Sequence, residues 1–176
     1  MSDHGDRNRK IEMLFRRYGP LVYRRALKIL RNESLAEEAT QDIFVRVVKG
    51  IERFDGRSKM STWLFQVTTN HCLNHIRNQS RRRELWRDEV MPQAEQKGQT
   101  VKEVDQILLK QLLGTAEPEL AQAAVCVFIE GMTGQEAAQV LGVSRRTVIN
   151  RLERFKAWAQ ENMDGSAQAR PPPDTG

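Results

Sequence analysis

The stretch TGQEAAQVLGVSRRTVINRL at 133–152 leaves the backbone few choices. Thr133 and Glu136 have capping-box spacing, in which each residue satisfies an otherwise orphaned donor at a helix start. Gly142 supplies the positive φ that the turn needs, and Ser144 is placed to cap a second helix. Ala138 is small where the two helices must approach, while Val143, Val148 and Leu152 give apolar contacts back to the first. This is the layout of a helix-turn-helix. Its second helix presents Ser144, Arg145, Arg146, Thr147, Asn150, Arg151 and Arg154, side chains that reach phosphates and base edges from a helix lying in the major groove. An ordinary helical hairpin with a solvated basic face has the same pattern. Ile149, exposed on such a reading face, needs a thymine methyl or a packing partner.

Helical periodicity continues through the rest of the chain, and no alternating strand pattern competes with it. Ile11, Leu14, Phe15 and Tyr18 recur at helical spacing, and Leu21, Val22, Ala26, Ile29 and Leu30 extend the stripe past Gly19-Pro20, which is expected to kink or divide the helix. Ser34 and Glu37 suggest a capping box for a second helix to about Lys49, with Ala36, Ala39, Ile43, Phe44 and Val47 inward. Residues 52–60 read as a loop, followed by a third helix from near Ser61 toward Arg83. Residues 84–101 read as a flexible linker, too long for most loops within one compact domain. Helices through Val104 to Leu113, after Pro118, and on either side of Gly142 as far as Trp158 complete the second half. The expected fold is therefore all-α, two small helical domains at 8–83 and 102–162 joined by that linker, the second a helix-turn-helix domain. A tail at 163–176 is too poor in apolar residues to pack and is expected to be disordered.

Net charge is +5, a modest excess whose distribution says more than its size. Residues 56–83 carry six basic and no acidic side chains, whereas 84–120 carry four basic and eight acidic. Basic segments are thus separated by an acidic connector. Cys72 and Cys126 both sit inside helical patterns, which argues against a disulfide framework and assigns the chain to the reducing cytoplasm. A polar N-terminus without an apolar signal core, and the lack of any apolar run of membrane-spanning length, agree with that compartment and with no membrane contact.

The acid-free segment is the second informative one. A loop with Arg57 and Lys59 leads into a helix bearing Ser61, Thr62, Trp63, Gln66, Thr69, Asn70, Asn74 and Arg77 and ending in an arginine run that includes Arg81. Cations that hold a backbone, with an aromatic face and amides for exposed bases, suit single-stranded nucleic acid. Equally, Trp63 can be core and the arginines a solvated helix end favoured by the helix dipole. His71 and His75 share a helix face, but Cys72 points elsewhere and further ligands are lacking, so no metal is expected. No phosphate loop, nucleophile elbow or other catalytic constellation occurs, so neither an enzyme nor a cofactor is expected.

Three segments, AEEATQDIF at 36–44, FD…TWL…N…IR at 54–77 and EGMTGQEAAQVLGVSRRTVINRL at 130–152, resemble in order and spacing the extracytoplasmic-function RNA polymerase sigma factors, over about residues 10–160. The resemblance implies two helical domains, region 2 and region 4, that direct core polymerase to promoters. It implies that Glu38, Gln41, Asp42 and Phe44 meet the clamp helices of the polymerase β′ subunit, with the β flap as a second contact on core; alternatively 36–44 is a solvated acidic face and Phe44 simple core. It further implies that Arg57, Lys59, Ser61, Thr62, Trp63, Gln66, Asn70, Asn74 and Arg77 capture an unstacked base of the minus-ten element, offsetting unpairing without ATP. The helix after Ser144 would read the minus-thirty-five element, and an anti-sigma factor would sequester the protein. Asn74 stands where the family commonly has an acid, and 116–124 lacks its usual Leu-Pro and Arg.

Overall fold

A computed structural model describes residues 3–51, 59–89 and 101–168, with side chains for 9, 11–51, 59–82 and 108–163. The described residues form α-helices and one π-helical turn, with no strand among them. The helices are α1 (Asp3–Leu30), α2 (Glu33–Gly50), α3 (Met60–Glu89), α4 (Val101–Thr115), α5 (Pro118–Ala124), α6 (Gly134–Leu141) and α7 (Arg145–Gln168), with the π-turn at Val125–Ile129 between α5 and α6. None is long and apolar enough to cross a membrane.

The first half, α1 to α3, packs around Val22, Ala26, Ile29, Ile43, Val47, Leu64, Leu73 and Ile76, all nearly inaccessible. Their three- and four-residue spacings place them on one stripe of each helix. Buried Thr40, Thr68 and Thr69 avoid orphaned hydroxyls by donating to the carbonyls of Ala36, Leu64 and Phe65, four residues back. α4 then lies along α3, and a glycine allows the close approach. A Cβ on Gly114 would come within 2.6 Å of Ser80 Oγ.

The second half is built as its caps dictate. Pro118 opens α5 in the first turn, where a missing N–H costs nothing. Thr133 Oγ1 accepts from Glu136 N at 3.2 Å while Glu136 Oε2 accepts from Thr133 N at 2.8 Å, so the expected capping box is formed. The same contacts lower the carboxyl pKa of Glu136. Gly142 ends α6 at φ 67°, its N–H donating to Ala138 O. Ser144 Oγ accepts from Thr147 N at 3.1 Å and starts α7. Val148, with Cys126, Ala137 and Ala138, forms the small core beneath this hairpin.

Several sequence expectations change. Pro20 does not divide the first helix: α1 is continuous through it, because loss of one backbone donor is tolerated when the flanking turns are held by a buried stripe. The N-cap of α2 is Asn32, whose side chain accepts from Leu35 N at 2.9 Å, and not Ser34. Arg31 takes a positive φ of 52° to end α1, so the chain turns two residues earlier than the Ser34 signal implied. α3 runs past Arg83 to Glu89, into the stretch read as linker. α7 continues past Trp158 to Gln168, so 163–168 are helical where a disordered tail was expected. In both cases an established helix propagates at one hydrogen bond per residue without needing an apolar face. Residues 90–100 and 169–176 of the expected linker and tail lie outside the described residues, as does Arg57.

The two halves pack on each other, and α4 lies on α3 of the first half. Leu113, Ala116, Leu120, Ala121, Ala124, Val125 and Phe155 belong to the same apolar cluster as the core of the first half.

Candidate nucleic-acid interface

α3 places its polar side chains on one edge. Gln66, Asn70, Asn74 and Arg77 follow at spacings of four, four and three, one stripe of a helix. Lys59 is exposed just before the helix, its carbonyl accepting from Thr62 N and Trp63 N, which leaves Ser61, Thr62 and Trp63 half-buried in the first turn. Trp63 packs against the main core, so its indole is in part structural. Asn74 Oδ1 lies 3.4 Å from Arg77 Nη1, and Arg81 is exposed beyond it. Burial lowers the Arg77 pKa.

The second half meets this stripe. Gln66 Nε2 donates to Val140 O, and Gln122 Nε2 donates to Asn70 Oδ1 at 2.7 Å. Beside them Arg25 of α1 is 3% exposed. Its Nε and Nη2 donate to Thr69 Oγ1 at 3.1 and 2.7 Å, and its guanidinium lies over the Phe65 ring. Its Nη1 stands 3.3 Å from Glu130 Oε1, close enough for an ion pair. Cys126 of the π-turn lies against the same guanidinium. Desolvation pushes the Arg25 pKa down to about 10 against the attraction of Glu130. Lys28 Nζ reaches the other oxygen of the same carboxylate at 3.4 Å.

On α7, Arg145, Arg146 and Asn150 are exposed, and Thr147 is half-buried through its hydroxyl contact with Ser144, 2.8 Å away. Arg151 pairs with Glu119 at 2.6 Å and Arg154 with Glu117 at 3.0 Å, so these two cations are engaged by acids at the start of α5. Ile149 remains 39% exposed on this surface.

The acidic face of α2 forms a separate surface. Glu38, Gln41 and Asp42 are exposed, as the sequence implied. Phe44 differs: it is 5% exposed and belongs to the core, because its position falls on the buried stripe with Ala36, Ile43 and Val47. Phe15 of α1 covers it edge-on, ring centroids 4.9 Å apart, and is itself 48% exposed. The apolar element of this face is therefore Phe15, with exposed Val45 nearby in sequence. Sequence periodicity had counted Phe15 among the inward residues; the clue was that Leu14 and Tyr18 already filled that stripe. His71 Nε2 lies 3.9 Å from Asp42 Oδ2. No group of three or more His, Cys, Asp or Glu among the described residues is arranged to hold a metal.

Comparison with known proteins converges on one family. The family model for sigma-70 region 2 matches residues 14–82. The chain is 32% identical over 150 residues to the extracytoplasmic-function RNA polymerase sigma factor SigE of Mycolicibacterium smegmatis, covering 80% of this chain and 56% of that protein. It is 30% identical over 146 residues to the RNA polymerase sigma factor HrpL of Pseudomonas syringae pv. syringae, covering 78% of each. The chain thus spans just over half the length of one of these relatives and most of the other. Its fold resembles that of the sigma factor RpoE solved in complex with the anti-sigma factor NepR from Bartonella quintana, with a TM-score of 0.51 at 19% identity over 88% of this chain and 97% of that one. The ordered sequence segments, the all-helical architecture and these matches agree: the chain belongs to the sigma-70 family of RNA polymerase sigma factors, in its extracytoplasmic-function group.

Proposed function

We propose that this protein binds core RNA polymerase, selects promoters and opens their minus-ten element. The observation that carries the reading is the presence, in one chain, of an acid-free polar stripe on α3 and a basic helix-turn-helix, beside an acidic α2 face. A regulator acting without polymerase has no use for the first or the third.

The roles divide by chemistry. Glu38, Gln41 and Asp42, with Phe15 as apolar anchor, suit a basic helical surface on core such as the β′ clamp helices. Gln66, Asn70 and Asn74 offer donors and acceptors to the edges of unstacked bases, while Lys59, Arg77 and Arg81 neutralise the strand backbone. Arg57 extends that set and lies outside the described residues. Arg145, Arg146 and Asn150 lead the reading of duplex DNA upstream, and Arg151 and Arg154 join on release from Glu119 and Glu117. Binding energy alone separates the strands, so the role requires no bond chemistry or cofactor. Because the matched RpoE was solved with an anti-sigma factor, a protein inhibitor of that class is the natural regulatory partner.

Run-off transcription with purified core polymerase and a promoter pool tests this. Initiation dependent on the protein is expected. Failure both to bind core and to direct initiation on any template overturns the reading. Within that assay, replacing Arg145 and Arg146 is expected to weaken upstream duplex binding, and replacing Gln66 and Asn70 to impair opening.

A further inference from the structure

Packing settles the inner side of α7: Val148 and Phe155 are buried, and Leu152 lies at the edge of the small core. Its outer side is polar except at one position. Ile149 is 39% exposed, belongs to neither apolar cluster of the described residues, and stands among exposed Arg145, Arg146, Asn150 and Glu153. Spacings of three and four put Arg145 and Arg146 one turn before it and Glu153 one turn after it. Arg151, by contrast, is held by Glu119 at 2.6 Å. Neither Ile149 nor Glu153 suits a phosphate, since an aliphatic side chain offers no donor and a carboxylate carries the same charge. With α7 on duplex DNA, this turn therefore faces base edges while the arginines hold the strands. Among the groups that the bases present in the major groove, the thymine C5-methyl is the apolar one.

We propose that Ile149 is a specificity-determining residue of the upstream reading helix, its side chain seated on the C5-methyl of a thymine in the duplex. This rests on the duplex-reading role given to α7 above and adds to it the identity of one base that the helix selects. Labour divides by chemistry. Arg145 and Arg146 contribute charge that acts on any duplex, whereas contact between an aliphatic side chain and a methyl adds affinity only where thymine stands. Glu153 accepts from a cytosine amino group but repels a phosphate, so it penalises a shift of α7 toward the backbone and keeps Ile149 over base edges.

In the test, the full-length protein, alone and with core polymerase, selects duplexes from a random-sequence DNA pool. Each thymine of the selected upstream element is then replaced singly by deoxyuridine, and affinities are compared by fluorescence anisotropy. Deoxyuridine lacks only the methyl, so at one thymine the parent protein is expected to bind about fourfold more weakly. Ile149→Ala is expected to weaken binding to the thymine duplex by a similar factor and to lose nothing further with deoxyuridine there. Ile149→Val keeps part of the contact and part of the methyl dependence. Arg145→Ala weakens binding to both duplexes equally and leaves their ratio intact, so that ratio is a readout that a merely structural role of Ile149 does not move. Three results overturn the proposal: no thymine gives a penalty in the parent, Ile149→Ala retains the penalty, or Ile149→Ala impairs core binding with duplex affinity unchanged, which makes Ile149 a protein-docking residue. If no duplex is enriched, the duplex-reading role and the Ile149 assignment fall together. Run-off transcription separates the two levels. Methyl recognition through Ile149 without initiation overturns the sigma reading alone, and initiation without methyl dependence overturns the Ile149 assignment alone.

Discussion

Val148→Ala tests whether the helix-turn-helix is a packed unit. Val148 is fully buried on the inner side of α7, against Cys126, Ala137 and Ala138. Truncation removes two carbon groups, a transfer loss of about 1.6 kcal/mol at about 0.8 kcal/mol each. Its fully buried neighbours Cys126, Ala137 and Ala138 are small, and larger Phe65, Met132, Leu141 and Leu152 pack at the edge of the cluster. The Thr133–Glu136 box and the left-handed Gly142 cap hold α6 in place, so collapse is limited. A residual cavity adds about 1 kcal/mol, for a total near 2.5 kcal/mol. Ile149→Ala, one position along but on the outer surface, is the control, expected to cost no more than about 1 kcal/mol. Urea unfolding followed by circular dichroism measures both, with a shifted midpoint and an unchanged slope as the sign of a simple loss of stability. A Val148→Ala cost below about 1 kcal/mol, or equal costs for the two variants, would refute the packing described here. Duplex binding supplies the functional half, since Val148 supports the helix that carries Arg145, Arg146 and Asn150.

Gly142→Ala should cost about 1–2 kcal/mol for its left-handed φ alone, because a Cβ there meets nothing within 4 Å; Gly142→Asn should recover part of that in the same urea assay. Burial and then the Arg46 charge hold the His71 pKa below its usual 6.5, so the neutral ring is favoured in the folded state. Stability is therefore full above about pH 6.5 and declines as pH falls below it, and His71→Gln should flatten that decline in unfolding measured across the range. Desolvation pushes the Cys72 thiol up to about 12, so a disulfide reagent at mildly alkaline pH should leave it unmodified in the native protein and label it readily in urea. Labelling of native Cys72 at the rate of a free thiol contradicts its burial.

Local signals with a backbone mechanism were legible in the sequence. The Thr133–Glu136 box, Pro118 at the start of α5, Gly142 and Ser144 each appear where their chemistry placed them. Buried stripes followed from spacing, as with Val22, Ala26 and Ile29. Competing signals were not resolved by spacing alone. Asn32 and Ser34 are both good caps, and the choice fell to the residue just after the left-handed turn at Arg31. Phe15 and Phe44 were both read as inward, although only one ring fits beneath the other. Arg25 was missed entirely as a site residue. It sits three residues after Val22 and four before Ile29, inside the apolar stripe, where an arginine must find a partner. What the sequence could not disclose is that its partners are Thr69 on α3 and Glu130, the latter more than a hundred positions away at the C-cap of the π-helical turn.

The apolar cluster shared by α1–α3 and the second half has a thermodynamic consequence. Ile76 of the first half and Leu120, Val125 and Phe155 of the second belong to this one buried cluster, so melting either half strips cover from the other. Heating the packed protein should give a single calorimetric transition whose enthalpy matches its van't Hoff value. Two helical units with separate cores would instead unfold in sequence, so calorimetric cooperativity gives a direct gauge of how firmly the two halves are joined.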